Sequence, residues 1–135
     1  HGLGNEALKC FIEMKDAGIR PDEITYVCIL KACGIVGSLE IGVGVDAEVR
    51  KQGLWQKNVM LGTALVDMYA KCGVLEKALD VFEQLPLQTI VSWNALISGY
   101  IQNGLGDEAL KCFKQMQDAK ICPNSVIYAS VLKGQ

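Results

Sequence analysis

From residue 90 to residue 124 the apolar side chains fall into two stripes. Trp93, Leu96, Ile97 and Tyr100 stand at the i, i+3, i+4, i+7 spacing of a helix with one buried face, behind a capping candidate at Ser92. Asn103-Gly104 interrupts that stripe. A second follows in Ala109, Cys112, Phe113 and Met116, after Asp107-Glu108, the acidic first turn that a helix dipole favours. Pro123 excludes its continuation. The pattern predicts two helices joined by a turn. The second stripe returns as Ala7, Cys10, Phe11, Met14 and again as Ala78, Val81, Phe82, Leu85, so the same helix is expected three times.

The repetition extends beyond hydrophobic pattern. Residues 1–22, HGLGNEALKCFIEMKDAGIRPD, come back as residues 103–124, NGLGDEALKCFKQMQDAKICPN, displaced by 102 positions and identical at 14 of 22 places. Weaker echoes divide that period. Gly2, Gly37, Gly73 and Gly104 open similar segments at spacings of 35, 36 and 31, and Tyr26-Val27, Gly62-Thr63, Trp93-Asn94 and Tyr128-Ala129 follow at 36, 31 and 35. A two-helix unit cannot cover its own apolar faces, so neighbours must stack into an α-solenoid. Three complete units are expected, at 23–58, 59–89 and 90–124, with a second helix before them and a first helix after. No polar capping helix is visible at either end, and His1 stands where an initiator Met would, so the chain reads as an excerpt of a longer array.

Composition narrows function mostly by exclusion. Half the residues are hydrophobic, as stacked helices require, and 13 Lys and Arg against 15 Asp and Glu leave a net charge of −2. Nucleic acid cannot be gripped by bulk positive charge, and any such contact must be local. No apolar run reaches the ~18 residues of a membrane span, and no signal peptide is visible. The six cysteines include no CxxC, and the sole histidine is residue 1, so neither a zinc site nor a Ser/His/Asp or Cys/His constellation can be assembled. Cys10, Cys112, Cys28, Cys33 and Cys72 lie on helical patterns and read as small hydrophobes. No catalytic residue, metal or other cofactor, membrane contact or small-molecule substrate is expected.

VSWNALISGY at 91–100, LGTALVDMYAKCG at 61–73, ITYVCILKACG at 24–34 and the closing IRPD and ICPN resemble the pentatricopeptide repeat. The cycle of 35, 36 and 31 resembles, more narrowly, the P, L and S units of the plant PLS class. On that resemblance 1–22 ends a P unit, 23–58 is an L unit, 59–89 an S unit, 90–124 a P unit, and 125–135 begins another L. The implied fold is all-α, an α-solenoid of stacked antiparallel two-helix repeats forming a right-handed superhelix. The implied function is sequence-selective binding of single-stranded RNA, one base per repeat, as the targeting part of an organellar RNA-processing or C-to-U editing factor in chloroplast or mitochondrion. Editing chemistry would need a deaminase-like domain, whose H-x-E and PCxxC patterns are not in this chain. A protein-binding α-solenoid is the alternative.

The resemblance also implies roles for residues. The second residue of each unit clamps a base, which points to Ile24, Met60, Val91 and Val126. The fifth and last residues select it, which pairs Val27 with Asn58, Thr63 with Thr89, and Asn94 with Asn124, and leaves Asp22 and Ala129 as members of the incomplete units. Asn94 with Asn124 resembles a pyrimidine reader and Thr63 a purine reader, whereas Val27 has no group to hydrogen-bond a base. Lys71 matches a position that approaches phosphate. Spacing alone sets Val91, Asn94 and Ser98 on a line apart from the Trp93 stripe, with a solvated Asn94 and a core Val91 as the plainer alternative. Asp46, where sibling units carry Phe11, Phe82 and Phe113, suggests either a surface for protein editing cofactors on the L unit or a solvated charge.

Overall fold

The computed structural model describes residues 2–54 and 57–133; His1, the one histidine, lies outside them. The described residues form eight helices and no strand: α1 (Gly2–Asp16), α2 (Glu23–Val36), α3 (Leu39–Lys51), α4 (Val59–Lys71), α5 (Leu75–Gln84), α6 (Ile90–Gln102), α7 (Gly106–Asp118) and α8 (Ser125–Lys133). None is long and apolar enough to cross a membrane.

The helices sort into two layers. α2, α4, α6 and α8 pack on one another in order, while α3, α5 and α7 each fill the angle between the two even helices that flank them in sequence. The backbones of odd helices do not approach one another. Side chains bridge the gaps instead, with Lys15 of α1 reaching Glu48 of α3 at 2.9 Å and Arg50 of α3 reaching Gln84 of α5 at 3.5 Å. A layer whose members touch, backed by one whose members are spread, curves toward the closer layer. The even helices therefore line the concave side of an α-solenoid.

The core runs between the layers. Trp93, Leu96, Ile97 and Tyr100 of α6 are all buried, as are Ala78, Val81, Phe82 and Leu85 against it, and Phe82 meets Trp93 edge to face at 4.7 Å between ring centroids. Each of these large side chains contributes about 1.5–3 kcal/mol when removed from water. In α7, Ala109, Cys112 and Met116 are buried and Phe113 is half-buried, edge to face with Tyr128 of α8. The echo in α1 departs from that pattern. Leu8 and Phe11 are buried, but Ala7 and Met14 are only half-buried and Cys10 is exposed. Cys112 is covered because α6 packs beside α7, whereas α1 follows no such helix in this chain. Cys28, expected as a small apolar core residue, is exposed on α2, while Cys33 is fully buried and Cys72 half-buried.

Two expectations about polar residues are corrected. Ser92 does not cap α6. The cap is Thr89, whose hydroxyl accepts from Ser92 N at 3.3 Å while Ser92 Oγ accepts from Thr89 N at 2.8 Å, a reciprocal capping box. Asp46 is neither solvated nor presented to a partner: it is 4% exposed, held by Arg50 Nε at 2.7 Å and by the hydroxyl of Tyr69. A buried carboxylate must be paired and hydrogen-bonded. These two donors on adjoining helices satisfy it, and burial together with Asp46 pushes the Tyr69 phenol far above its ordinary range.

Candidate functional site

The even helices open at equivalent points. Each is preceded by a side-chain oxygen that accepts a backbone N–H three residues on: Asp22 from Thr25 at 2.8 Å, Asn58 from Leu61 at 3.2 Å, Thr89 from Ser92 at 3.3 Å and Asn124 from Ile127 at 3.0 Å. These are the four closing positions singled out as base selectors, and each is an N-cap, satisfying an orphan donor of the helix that follows. In Asp22 one oxygen also takes the Thr25 hydroxyl, and the backbone N–H of Thr25 first, then that hydroxyl, hold its carboxyl below the ordinary range. Capping leaves Asp22, Asn58 and Asn124 one further polar atom, and Thr89 its hydroxyl proton, with which to meet a ligand. Asn58 has spent that atom as well, its amide donating to Glu23 Oε2 at 2.6 Å.

One residue into each helix stands a large apolar side chain turned to solvent. Ile24 is 75% exposed, Met60 68%, Val91 61% and Val126 56%, so Val91 is not a core residue. Three residues further the chain has turned back toward the groove floor. There Val27 is buried, Thr63 and Asn94 are half-buried, and Ala129 is exposed on α8. Asn94 Oδ1 accepts a long hydrogen bond from Ser98 at 3.4 Å, and its amide NH₂ is a donor.

Between α2, α4 and α6 these positions meet in one groove of about 650 Å³. Val27, Met60, Thr63, Thr89, Val91, Asn94 and Ser98 line it, with Lys31, Asp67, Lys71 and Gln102 along its far side. Lys71 is ion-paired one turn back to Asp67 at 3.0 Å. Ile24 and the caps Asp22, Asn58 and Asn124 are outside this lining, as are Val126 and Ala129. Lys31 and Asp67 were not anticipated as site residues. They occupy the ninth place of α2 and α4, which Ser98 and Lys133 hold in α6 and α8, so the repeat register could have found them. The groove thus offers apolar flanks at its mouth, single hydrogen-bonding side chains between them and cations along one edge.

The PPR repeat family matches residues 1–34 and 88–134, and the single PPR repeat matches residues 63–87. A putative pentatricopeptide repeat-containing protein of Arabidopsis thaliana is 44% identical over 128 residues, which cover 95% of this chain and 18% of that relative. A mitochondrial pentatricopeptide repeat-containing protein of the same plant is 41% identical over 129 residues, 96% of this chain and 20% of the relative. A chloroplastic one is 40% identical over 131 residues, 97% and 25%. The chain spans about a fifth to a quarter of the length of these relatives. Among solved structures, PPR10 in complex with an 18-nucleotide psaJ RNA element matches with a TM-score of 0.79 at 26% identity, over 93% of this chain and 19% of that one. The crystal structure of PPR10 from maize matches at 0.74 and 27%, over 94% and 18%. The chain belongs to the pentatricopeptide repeat family.

Proposed function

We propose that this chain binds single-stranded RNA along its inner groove, one base to each helix pair, as part of an organellar RNA-processing or C-to-U editing factor. The units are those of a P, L, S cycle: 1–22 closing a P unit, 23–58 an L, 59–89 an S, 90–124 a P and 125–135 opening another L. The helix starts at Glu23, Val59, Ile90 and Ser125 support these bounds. Relatives named as mitochondrial and as chloroplastic support an organellar setting, and RNA bound to PPR10 supports the ligand class.

The observation that carries the reading is the row of Ile24, Met60, Val91 and Val126. Four large apolar side chains, each at the second place of an inner helix, keep more than half of their surface exposed. Apolar groups spaced at the repeat interval suit base faces, which single strands present and duplexes hide. Between successive flanks, Thr63 and Asn94 offer hydrogen bonds to base edges, and the capping residues Thr89 and Asn124 add their remaining donor. Asn94, with its oxygen engaged by Ser98, donates to an acceptor such as a pyrimidine carbonyl. Asn58, with both amide atoms engaged, and apolar Val27 leave the L unit without selection.

Fluorescence anisotropy with RNAs differing at one base is the test. Asn94→Thr should move the preference opposite unit 90–124 from pyrimidine toward purine. Unchanged selectivity refutes the assignment of Asn94. Equal binding of a duplex control refutes the single-strand reading, and no binding of either leaves the solenoid as a protein-binding surface.

A further inference from the structure

Asp67 is the one acid among the described residues that line the groove, where a polyanion would lie. Its position is specific to α4. The same ninth place is Lys31 in α2, Ser98 in α6 and Lys133 in α8, so the inner face otherwise carries cations or a neutral hydroxyl there. Lys71 is anchored at two points. Its aliphatic stem lies across α2 at Gly34, so closely that a Cβ on Gly34 would meet Lys71 Cδ at 3.1 Å, and its Nζ is drawn back to Asp67 Oδ2 at 3.0 Å. The stem is packed against α2, and the ion pair partly offsets its charge. Of the two groove lysines, Lys31 and Lys71, only the second has an acid beside it in the lining to compete with a phosphate.

We infer that Asp67 is a positioning residue that latches Lys71 and lowers the electrostatic, sequence-independent part of RNA affinity in the S unit. This rests on the RNA reading above. With the latch shut, the groove relies on the apolar flanks and on Thr63 and Asn94, which distinguish bases. With it open, a second lysine joins Lys31 in a contact that every sequence satisfies.

The test is a double-mutant cycle on this chain, with a labelled random-sequence single-stranded RNA pool as probe and salt varied between titrations. Asp67→Asn removes the charge and keeps the side-chain shape. It should tighten binding by about three- to tenfold at 50 mM salt, an advantage that shrinks as screening rises. It should also steepen the slope of log K against log salt by about 0.7, the increment for one more phosphate contact on a single strand. Lys71→Met, compared alone and in combination, should abolish the gain in affinity and in salt slope when added to Asp67→Asn. Far-UV circular dichroism of each variant verifies the fold. Weaker binding by Asp67→Asn, or a gain that survives Lys71→Met, overturns the latch while leaving RNA binding intact. No binding by any of the four proteins overturns the RNA reading and the latch together.

Discussion

Gly42, Gly44 and Gly99 sit inside helices, and only packing tells them apart. Alanine is ordinarily favoured over glycine in a helix interior by about 0.5–1 kcal/mol, because glycine loses more backbone freedom on folding. At Gly44 in α3 nothing lies within 4 Å of the added Cβ, so Gly44→Ala should gain roughly that amount. At Gly99 the added Cβ falls well inside contact distance of Ala70 Cβ and 3.5 Å from Ala70 Cα, across the α4–α6 crossing. Ala70 has no rotamer to change. Relief requires the two helices to separate by about 1 Å to restore carbon–carbon contact near 3.5–4 Å. Overpacking of this kind costs about 1–3 kcal/mol, so Gly99→Ala should lose about 1–2 kcal/mol net of the helix gain. At Gly42 the clash is with the sulfur and methyl of Met68, the movable end of a flexible side chain, and the result should lie between the other two. Urea denaturation followed by circular dichroism gives the order Gly44→Ala, Gly42→Ala, Gly99→Ala in falling midpoint. Ala70→Gly combined with Gly99→Ala should be more stable than the two single changes added together. A Gly99→Ala variant as stable as Gly44→Ala would refute the close-approach argument. Because Gly99 and Ala70 both line the groove, a separated α4–α6 pair should also weaken RNA binding.

Lys120, at φ 63°, is the one described non-glycine residue in the left-handed region, at the place where the echo of 1–22 has Gly18. That conformation costs a side-chain-bearing residue about 1–2 kcal/mol, and glycine's freedom in the unfolded chain returns about 0.4–1, so Lys120→Gly should raise stability by about 0.5–1 kcal/mol in the same assay. Thr89→Ala removes half of a capping box and should cost about 1 kcal/mol, whereas Thr89→Asp keeps the cap and should alter only base preference in the anisotropy series. Burial pushes the thiols of Cys33 and Cys112 up from 9.0 to about 11. A raised folded value means their contribution is complete below pH 9.0 and lost as pH climbs through about 11, so denaturant midpoints should fall across that alkaline window. Iodoacetamide at pH 8 should accordingly label exposed Cys10, Cys28 and Cys122 in the folded protein and reach Cys33 and Cys112 only after unfolding.

The fold was legible because repetition averages out local ambiguity. One stripe such as Ala78, Val81, Phe82, Leu85 is weak on its own, but several copies at a shared offset leave a two-helix repeat as the consistent reading. Ile24, Met60, Val91 and Val126 could be lined up because they share one place in the register, but their exposure was not legible, since spacing left a core Val91 open. Less visible was what individual polar atoms do. Ser92 looked like a cap because it precedes Trp93, but the helix begins two residues earlier, at Ile90. Asp46 looked like a surface charge because carboxylates usually are. Its partner Tyr69 lies 23 residues away on the next helix, a distance no local pattern spans.

Sequence alone determined the repeat unit, its helices and the equivalence of positions between units, because these follow from periodic burial and from turns that short-range chemistry encodes. Tertiary structure decided which equivalent positions behave alike. Cys10 and Cys112 are the same residue in the repeat, yet one is exposed and the other buried, since only α7 has a helix packed beside that face. Lys31 and Asp67 share a place in the register, and four-residue spacing within α4 already sets Asp67 beside Lys71, but only the approach of α4 to α2 lays the Lys71 stem across Gly34. The physical reason is the same in both cases. Periodicity specifies which face a side chain occupies, whereas its burial and packing depend on what stands opposite that face, and in a solenoid the opposite face belongs to the neighbouring unit.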